Sequence, residues 1–545
     1  LKAGSATAFG TGTISVTSGA VLDLNGQTMT STGGLTLNGT GISSGGALMN
    51  SSATGATYAG LVALGSATSI VGGTGTVALS NSGTINSTYG LTLDGDAGGS
   101  IASIVGNMIA LTKQGAGTWT LRGVNSYSGG TTISAGVLKA GSATSFGTGT
   151  LSVTSGAALD LNGQTMTSAG ALTLRGTGIS NGGALMNSST TGATYYGSVV
   201  LGADSAIVGG AGSIALTWPS GITGSYGLTL GGATGGSVTG PIGTTTGSLT
   251  KEGAGTWTLN SANTFTGNTT ISAGTLVIGS TGSLGSGSYA GAIANSGTFQ
   301  YSSSTAQTLS GVISGSGGLT KNTSSTSVLT LSGTNTYTGN TVITLGTVAV
   351  GGAGSLGSGS YAGTIANSGT FKYSSSAAQT LSGVISGAGT LIKEGTNTLT
   401  LAGTNTYTGD TTISAGTLTI GGSGSLGSGT YAGTITENGT FQYASSANQT
   451  LSGRISGTGG LSKATSATST LTLSGDDNYS GITTISAGTL KVGSSTALGT
   501  GAISVSSGAV LDLNGQTTAI TSGNLALNGT GITSGGALSN SRSEE

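Results

Sequence analysis

The chain has 545 residues, and none of them is cysteine or histidine. Lack of cysteine rules out a disulfide framework and a thiolate metal site, and leaves no mark of a redox compartment. Lack of histidine removes the commonest general base, the usual zinc ligand and every Ser-His-Asp arrangement. Proline occurs only 2 times, so neither collagen nor a proline-rich linker fits. Charge is scarce: 5% of residues, 13 basic against 14 acidic, where a soluble domain carries about 25%. Phosphate recognition needs clustered Lys and Arg, so no nucleic-acid partner is expected. No run approaches the roughly 20 apolar residues of a membrane helix, and Leu1-Lys2-Ala3-Gly4 lacks the regions of a signal peptide. The sequence reads as internal to something longer.

Glycine, in contrast, is abundant at 110 residues, and 35% of the chain is hydrophobic. That hydrophobicity, with low net charge, argues for a folded chain and against disorder. The sequence repeats itself. LKAGSATAFGTGTISVTSGAVLDLNGQTMT at Leu1 returns, slightly altered, at Leu138 and at Leu490. A second motif with the core N-x-[YF]-[ST]-G-x-T-x-I starts at Leu111, Leu249, Leu319, Leu391 and Leu461, the last with Asp477 in place of the Asn. Its aromatic markers Tyr127, Phe265, Tyr337, Tyr407 and Tyr479 leave one long interval and then three nearly equal ones, the long about twice the short. A third, GSLGSGSYAGAIANSGTFQY, begins at Gly282 and recurs from Gly354 and Gly424.

Fixed periods of this kind mark stacked supersecondary units. Ile14-Ser15-Val16-Thr17, Val21-Leu22-Asp23-Leu24 and Leu35-Thr36-Leu37 alternate apolar and polar residues with the period of two of half-buried strands. SG, NG and GTG clusters between them supply turns, and no segment has helical periodicity. The expected fold is all-β: a parallel β-helix, or β-solenoid, running as one elongated rod through residues 1–545. Its modules are approximately 1–137, 138–275, 276–347, 348–417, 418–489 and 490–545, the last a partial copy of the first. With roughly 20 to 25 residues per coil, a short module makes about three coils. Some two dozen coils at ~4.8 Å make a rod on the order of 110 Å.

Asn25, Asn162 and Asn514 follow the LDL strand, and Asn-Gly is read first as a turn and second as a bond between coils. Lys113, Lys251, Lys321, Lys393 and Lys463 share one place in an L-x-K motif. They read as exposed, solubilising charges, with a ligand-binding stripe as the alternative. Trp119 and Trp257, and the five aromatic markers, read as core or corner packing in preference to a sugar-stacking platform. The acidic pairs Asp94 and Asp96, and Asp476 and Asp477, read as solvated turns, since a glycosidase needs two opposed carboxyls and calcium six or more oxygens. No catalytic, cofactor or metal residue is assigned, and the chain is not expected to be an enzyme.

The segment Gly115-Ala116-Gly117-Thr118-Trp119-Thr120-Leu121, followed by Asn125-Ser126-Tyr127-Ser128-Gly129-Gly130-Thr131-Thr132-Ile133-Ser134-Ala135-Gly136-Val137-Leu138, resembles the autotransporter-associated β-strand repeat of bacterial type V secretion passengers. The resemblance implies a right-handed β-helix, exported across a Gram-negative outer membrane and located extracellularly or at the outer-membrane surface. It also implies a C-terminal β-barrel as the link to the membrane; none is expected here, because the chain runs to Ser541-Arg542-Ser543-Glu544-Glu545 without amphipathic strands. The function expected is a structural or adhesive rod, acting as stalk or self-associating adhesin in aggregation, biofilm contact or fibres. Partners would be other copies, end to end or side by side, or a host or cell-surface glycan or protein. The shared motif at Leu1 and Leu490 leaves both ends uncapped, which fits either continuation or stacking. The alternatives are a polysaccharide-active enzyme with a groove near Trp218-Pro219 or Asp204, and an ice-binding protein using Thr arrays.

Overall fold

In the strand Ala110–Lys113, side chains alternate between outside and interior, and Thr118–Leu121, Thr398–Leu401 and Thr470–Leu473 do the same. β-Branched Thr, Val and Ile suit such a pleat, with one face buried and one wet. The computed structural model describes all residues except 31–32, 108–109, 168–169, 519–523 and 542–545. The C-terminal residues in which a barrel strand was sought therefore lie outside the described residues from position 542 onward. Among the described residues, the only helical segments are six 3-10 turns.

The chain forms two compact units, Leu1–Val277 and Ile278–Glu545. In the second, Tyr373 pairs in parallel with Lys393, Lys393 with Ile413, and Ile413 with Glu437. Each partner lies a similar short stretch further along the chain, with no crossover helix between, so the chain returns beside itself after each coil. Each unit is thus a parallel β-solenoid. Between Ile435 and its partner Ile455 lie three strands, Ile435–Glu437, Thr440–Tyr443 and Gln449–Leu451, so a coil has three sides.

A module is not a whole number of coils. Three steps carry Tyr373 to Glu437, yet its counterpart in the next module, Tyr443, lies beyond that point, on the following strand. The same holds for Tyr301, whose column reaches Asn367, while its counterpart is Tyr373. The expected three coils per module become about three and one third, because real coils are a little shorter than the assumed length. Equivalent residues therefore move to the next side of the solenoid with every module. Accordingly, new sheets begin at Ser288–Tyr289, Ser360–Tyr361 and Thr430–Tyr431, once per module.

In the first unit the column Lys113, Ile133, Val153, Leu174, Leu201 continues the same pattern. Two 11-residue strands, Val62–Gly72 and Val199–Gly209, run around a corner and pair on two sides at once. Leu, Ile, Val and aromatic side chains fill the interior, each contributing roughly 1.5–3 kcal/mol. Glycine serves close approach at corners: a Cβ on Gly383 would lie 2.1 Å from the carbonyl oxygen of Gly363 in the coil before.

Candidate functional site

The residues singled out by the repeats lie mostly inside. Asn25, Asn162 and Asn514 adopt φ of 49°, 48° and 50°, as the Asn-Gly turn demands. Their Nδ2 groups also donate to Ala3, Ala140 and Val492 of the preceding coil, so turn and coil-to-coil bond coexist. Beside each stands an aspartate that sequence reasoning missed, although LDLNG occurs three times. Asp23 accepts from Asn25 N, Ser51 N and Ser51 Oγ, and Lys2 lies 3.7 Å away. Asp160 repeats this with Asn162, Ser188 and Lys139, and Asp512 with Asn514 and Ser541. Burial works against the charges of Asp23 and Asp512, but these hydrogen bonds prevail and hold both carboxyls below the usual range.

The five lysines overturn their expected role: Lys113, Lys251, Lys321, Lys393 and Lys463 are all fully buried. Leu and Lys in L-x-K are two residues apart on a strand, hence on one face, and that face is the interior. An ammonium brought out of water must be met by acceptors. Lys113 Nζ donates to Gln114 O at 2.8 Å, Gly115 O at 2.7 Å and, one coil on, Ala135 O at 2.9 Å. Lys251 and Lys393 repeat the three bonds, to Glu252, Gly253 and Ala273 and to Glu394, Gly395 and Ala415. Lys321 and Lys463 lie 5.8 Å from the ring centroids of Tyr301 and Tyr443, where a cation–π attraction adds to bonds to Thr323, Ser466 and Ala487. Desolvation lowers all five from the ordinary lysine value, Lys113 and Lys463 to about 8. Nor do they form a stripe within either unit: Lys113 and Lys251 stand in different strand columns of the first, and Lys321, Lys393 and Lys463 in three different sheets of the second.

The glycine of the I-S-A-G segment completes this cage. Gly136 has φ 64°, and a Cβ there would come within 2.7 Å of Lys113 Nζ; Gly274 stands likewise over Lys251 and Gly488 over Lys463. The asparagine of N-x-[YF] is a second buried bridge. Asn405 Oδ1 accepts from Ile385 N at 2.9 Å in the coil before, while its Nδ2 donates to Gly403 O and to Ser425 O in the coil after. Asn125, Asn263 and Asn335 accept similarly from Val105, Ile242 and Ile313.

Aromatic markers pack in the core as expected: Tyr127, Phe265, Tyr337, Tyr407 and Tyr479, with Trp119 and Trp257, are fully buried. Tyr and Thr four residues apart share a hydroxyl bond, as in Tyr127–Thr131 at 2.8 Å and Tyr479–Thr483 at 2.7 Å. Trp119 and Trp257 donate to Asp94 O and Gly231 O, and Gly99 and Gly236 pair with them because a Cβ would strike their rings.

The acidic pairs divide. Asp94 takes Gly95 N and Gln114 Nε2 at a partly exposed turn, as expected. Asp477, expected in solvent, is 6% exposed because it occupies the buried asparagine position. Glu437, which no sequence motif marks, is buried where Asn295 and Asn367 stand. Alignment of IANSGTF with ITENGTF, and of TNTY with DDNY, contains both changes. Asp204 accepts from Gly227 N, Trp218 is exposed at a corner, and no three His, Cys, Asp or Glu among the described residues are grouped to hold a metal.

Fold and site together define a class: a repeat solenoid whose most distinctive side chains clamp coil to coil. Five segments, 111–140, 249–278, 324–350, 391–420 and 468–492, match the passenger-associated-transport-repeat family, and these segments are autotransporter passenger repeats. A curated relative, the adhesin BmaC autotransporter of Brucella suis biovar 1, is 35% identical over an alignment of 179 residues that covers 25% of this chain and 5% of that protein. The chain thus spans about one twentieth of that relative's length. No solved structure matches the chain.

Proposed function

We propose that this chain is a structural and adhesive rod of an autotransporter passenger, carried outside the cell at a bacterial outer-membrane surface, where it acts as a stalk or self-associating adhesin. One observation carries the reading: the Lys, Asn and aromatic side chains that mark the repeat are buried, with lysines and asparagines bonding one coil to the next, which leaves an outer face of Thr and Ser. Such a repeat lengthens a solenoid without adding a reactive centre. The name of the similar Brucella suis protein, an adhesin, supports the adhesive half of the proposal. Other copies of the chain, or a surface glycan or protein, are its proposed partners.

The test is removal of residues 348–417, one module, followed by electron microscopy and an adhesion assay on beads coated with the chain. A folded particle shortened by about 16 Å, three and one third coils at ~4.8 Å, with bead aggregation reduced in proportion to length, is expected. Global unfolding, or hydrolysis of a glycan by the intact chain, would overturn the proposal.

A further inference from the structure

Two buried positions in the stretch 435–480 depart from their counterparts, and both exchange an amide for an acid. Asn295 Nδ2 donates to Gly318 O and Asn367 Nδ2 to Thr390 O, each at 2.9 Å. At the same place Glu437 is fully buried, and neither carboxyl oxygen has a hydrogen-bond partner. Gly460 stands where Thr390 does, so the counterpart of the carbonyl that the amide bonds is Gly460 O. Asp477 keeps half of the asparagine bridge: Oδ1 accepts from Ile455 N at 2.7 Å, as Asn405 Oδ1 does from Ile385 N. Its Oδ2 is buried and unpartnered, where Asn405 donates to Gly403 and Ser425. An ionised carboxylate only accepts. It therefore has nothing to donate where the amide donates, whereas a carboxyl O–H restores that donor.

Both acids are tied to one strand, since Ile435 pairs with Ile455 and Ile455 N–H goes to Asp477. Within the interior the facing titratable group is Tyr479, engaged with Thr483. Asp476 and Arg454 act on Asp477 from the outside with opposite signs. Asp410, before the strand on the other side of Glu437, is occupied by Thr434 N. Lys463 is held by Ser466 O and Ala487 O. Burial pushes Glu437 up to about 8, against the weaker pull of the nearby Phe441 N–H and with help from the Asp477 charge. Burial likewise pushes Asp477 up to about 7.

We propose that Glu437 and Asp477 form a proton-operated clasp on the coils between Ile435 and Thr500, closed when both carboxyls carry a proton and open when both have released it. The sign follows from linkage. An unfolded Glu or Asp loses its proton near pH 4, while the folded pair keeps its protons to near neutrality. The clasp is therefore fully engaged below about pH 4 and is lost as pH rises through the folded values. It makes one part of an otherwise uniform solenoid sensitive to pH, whatever the outer face binds.

Hydrogen exchange of the whole chain tests this, read as protection factors so that the intrinsic pH dependence of exchange cancels. Amides between Ile435 and Thr500 are expected to lose protection by about tenfold per pH unit for each acid between roughly pH 5 and 7. Those from Ile293 to Ile343, the counterpart that carries the amides Asn295 and Asn335, are expected to hold steady. The double variant Glu437→Gln with Asp477→Asn should abolish the pH dependence at the acid level of protection. A flat wild-type profile, or a slope that survives in the double variant, would overturn the proposal. Carbon-13 NMR titration of the carboxyls in the unmodified chain gives an independent reading. Two groups titrating above about pH 6 are expected, and titration of all 14 acidic residues below that would equally overturn it.

Discussion

The ammonium of Lys113 donates a 2.9 Å hydrogen bond to the carbonyl of Ala135, one coil further along the stack. Its two other bonds, to Gln114 and Gly115, stay within its own coil, so the side chain clamps two turns of backbone together. The same device recurs at Lys251 and at Lys393.

Lys393→Met should destabilise locally. Methionine keeps most of the shaft but leaves the carbonyls of Glu394, Gly395 and Ala415 without their donor. A buried polar group left unsatisfied costs about 1–3 kcal/mol. Because coils in a solenoid touch only their neighbours, the loss should be confined to adjacent coils. Hydrogen exchange should register it near 390–416 and leave residues 1–277 unchanged; a loss spread evenly over the chain would contradict the clamp.

Gly136→Ala should cost at least as much, for two reasons that add. The residue has φ 64°, which any side chain resists, and its new Cβ would sit 2.7 Å from Lys113 Nζ. A strained backbone position costs of order 1–3 kcal/mol. Because the Cβ would also lie 2.5 Å from the carbonyl oxygens of Gly115 and Gly117, adding Lys113→Ala should leave the loss in denaturant titrations unrelieved, and full recovery would contradict a backbone cause.

Much of the fold is legible in the sequence because it rests on period and repetition. The alternation in Leu35-Thr36-Leu37 and the recurring N-x-[YF] motif are enough for a parallel coil with aromatic residues inside. The lysines mislead when charge is weighed ahead of position: Lys113 is two residues from Leu111 and shares its face. The fractional module is hidden because a count of about three coils per short module is insensitive to one third of a coil; only the register, with Tyr443 displaced onto the next strand, reveals it. Glu437 and Asp477 sit among solvated-looking acids, and comparison with the asparagines of their sister modules is the signal that exposes them.

Tyr407→Phe should be costlier than Tyr127→Phe. Both lose a bond to a threonine hydroxyl four residues on, Thr411 and Thr131, at 2.8 Å. Thr411 also bonds Tyr431 at 2.8 Å, and the two rings pack edge to face at 5.4 Å, so the Tyr407 hydroxyl belongs to a three-member chain. Phe265 already fills the equivalent place in another module. The single bond is worth about 1 kcal/mol and the chain somewhat more. Matched urea titrations of the two variants check the order, and equal costs would deny the coupling.

Alkaline pH should produce a rise in local stability followed by a steep fall. Lys113 is held down at about 8, whereas an unfolded lysine keeps its proton to about 10.4. Between those values the unfolded state binds more protons, so stability around residue 113 rises with pH by up to about 1.4 kcal/mol per unit. Tyrosines act in the opposite sense. Burial raises Tyr127, Tyr195, Tyr337, Tyr407 and Tyr479, and pushes Tyr431 up to about 12. Their stabilisation is complete below the unfolded value near 10 and is lost as pH climbs through the folded values, by about 1.4 kcal/mol per unit for each ring. Six such rings outweigh the lysines, so the solenoid should melt sharply above about pH 11. Circular dichroism across pH 7 to 12.5 reads the fall, and hydrogen exchange near Lys113 reads the rise. Tyr127→Phe should make the fall shallower by one tyrosine's share, and an unchanged slope would mean that the buried hydroxyls are not its cause.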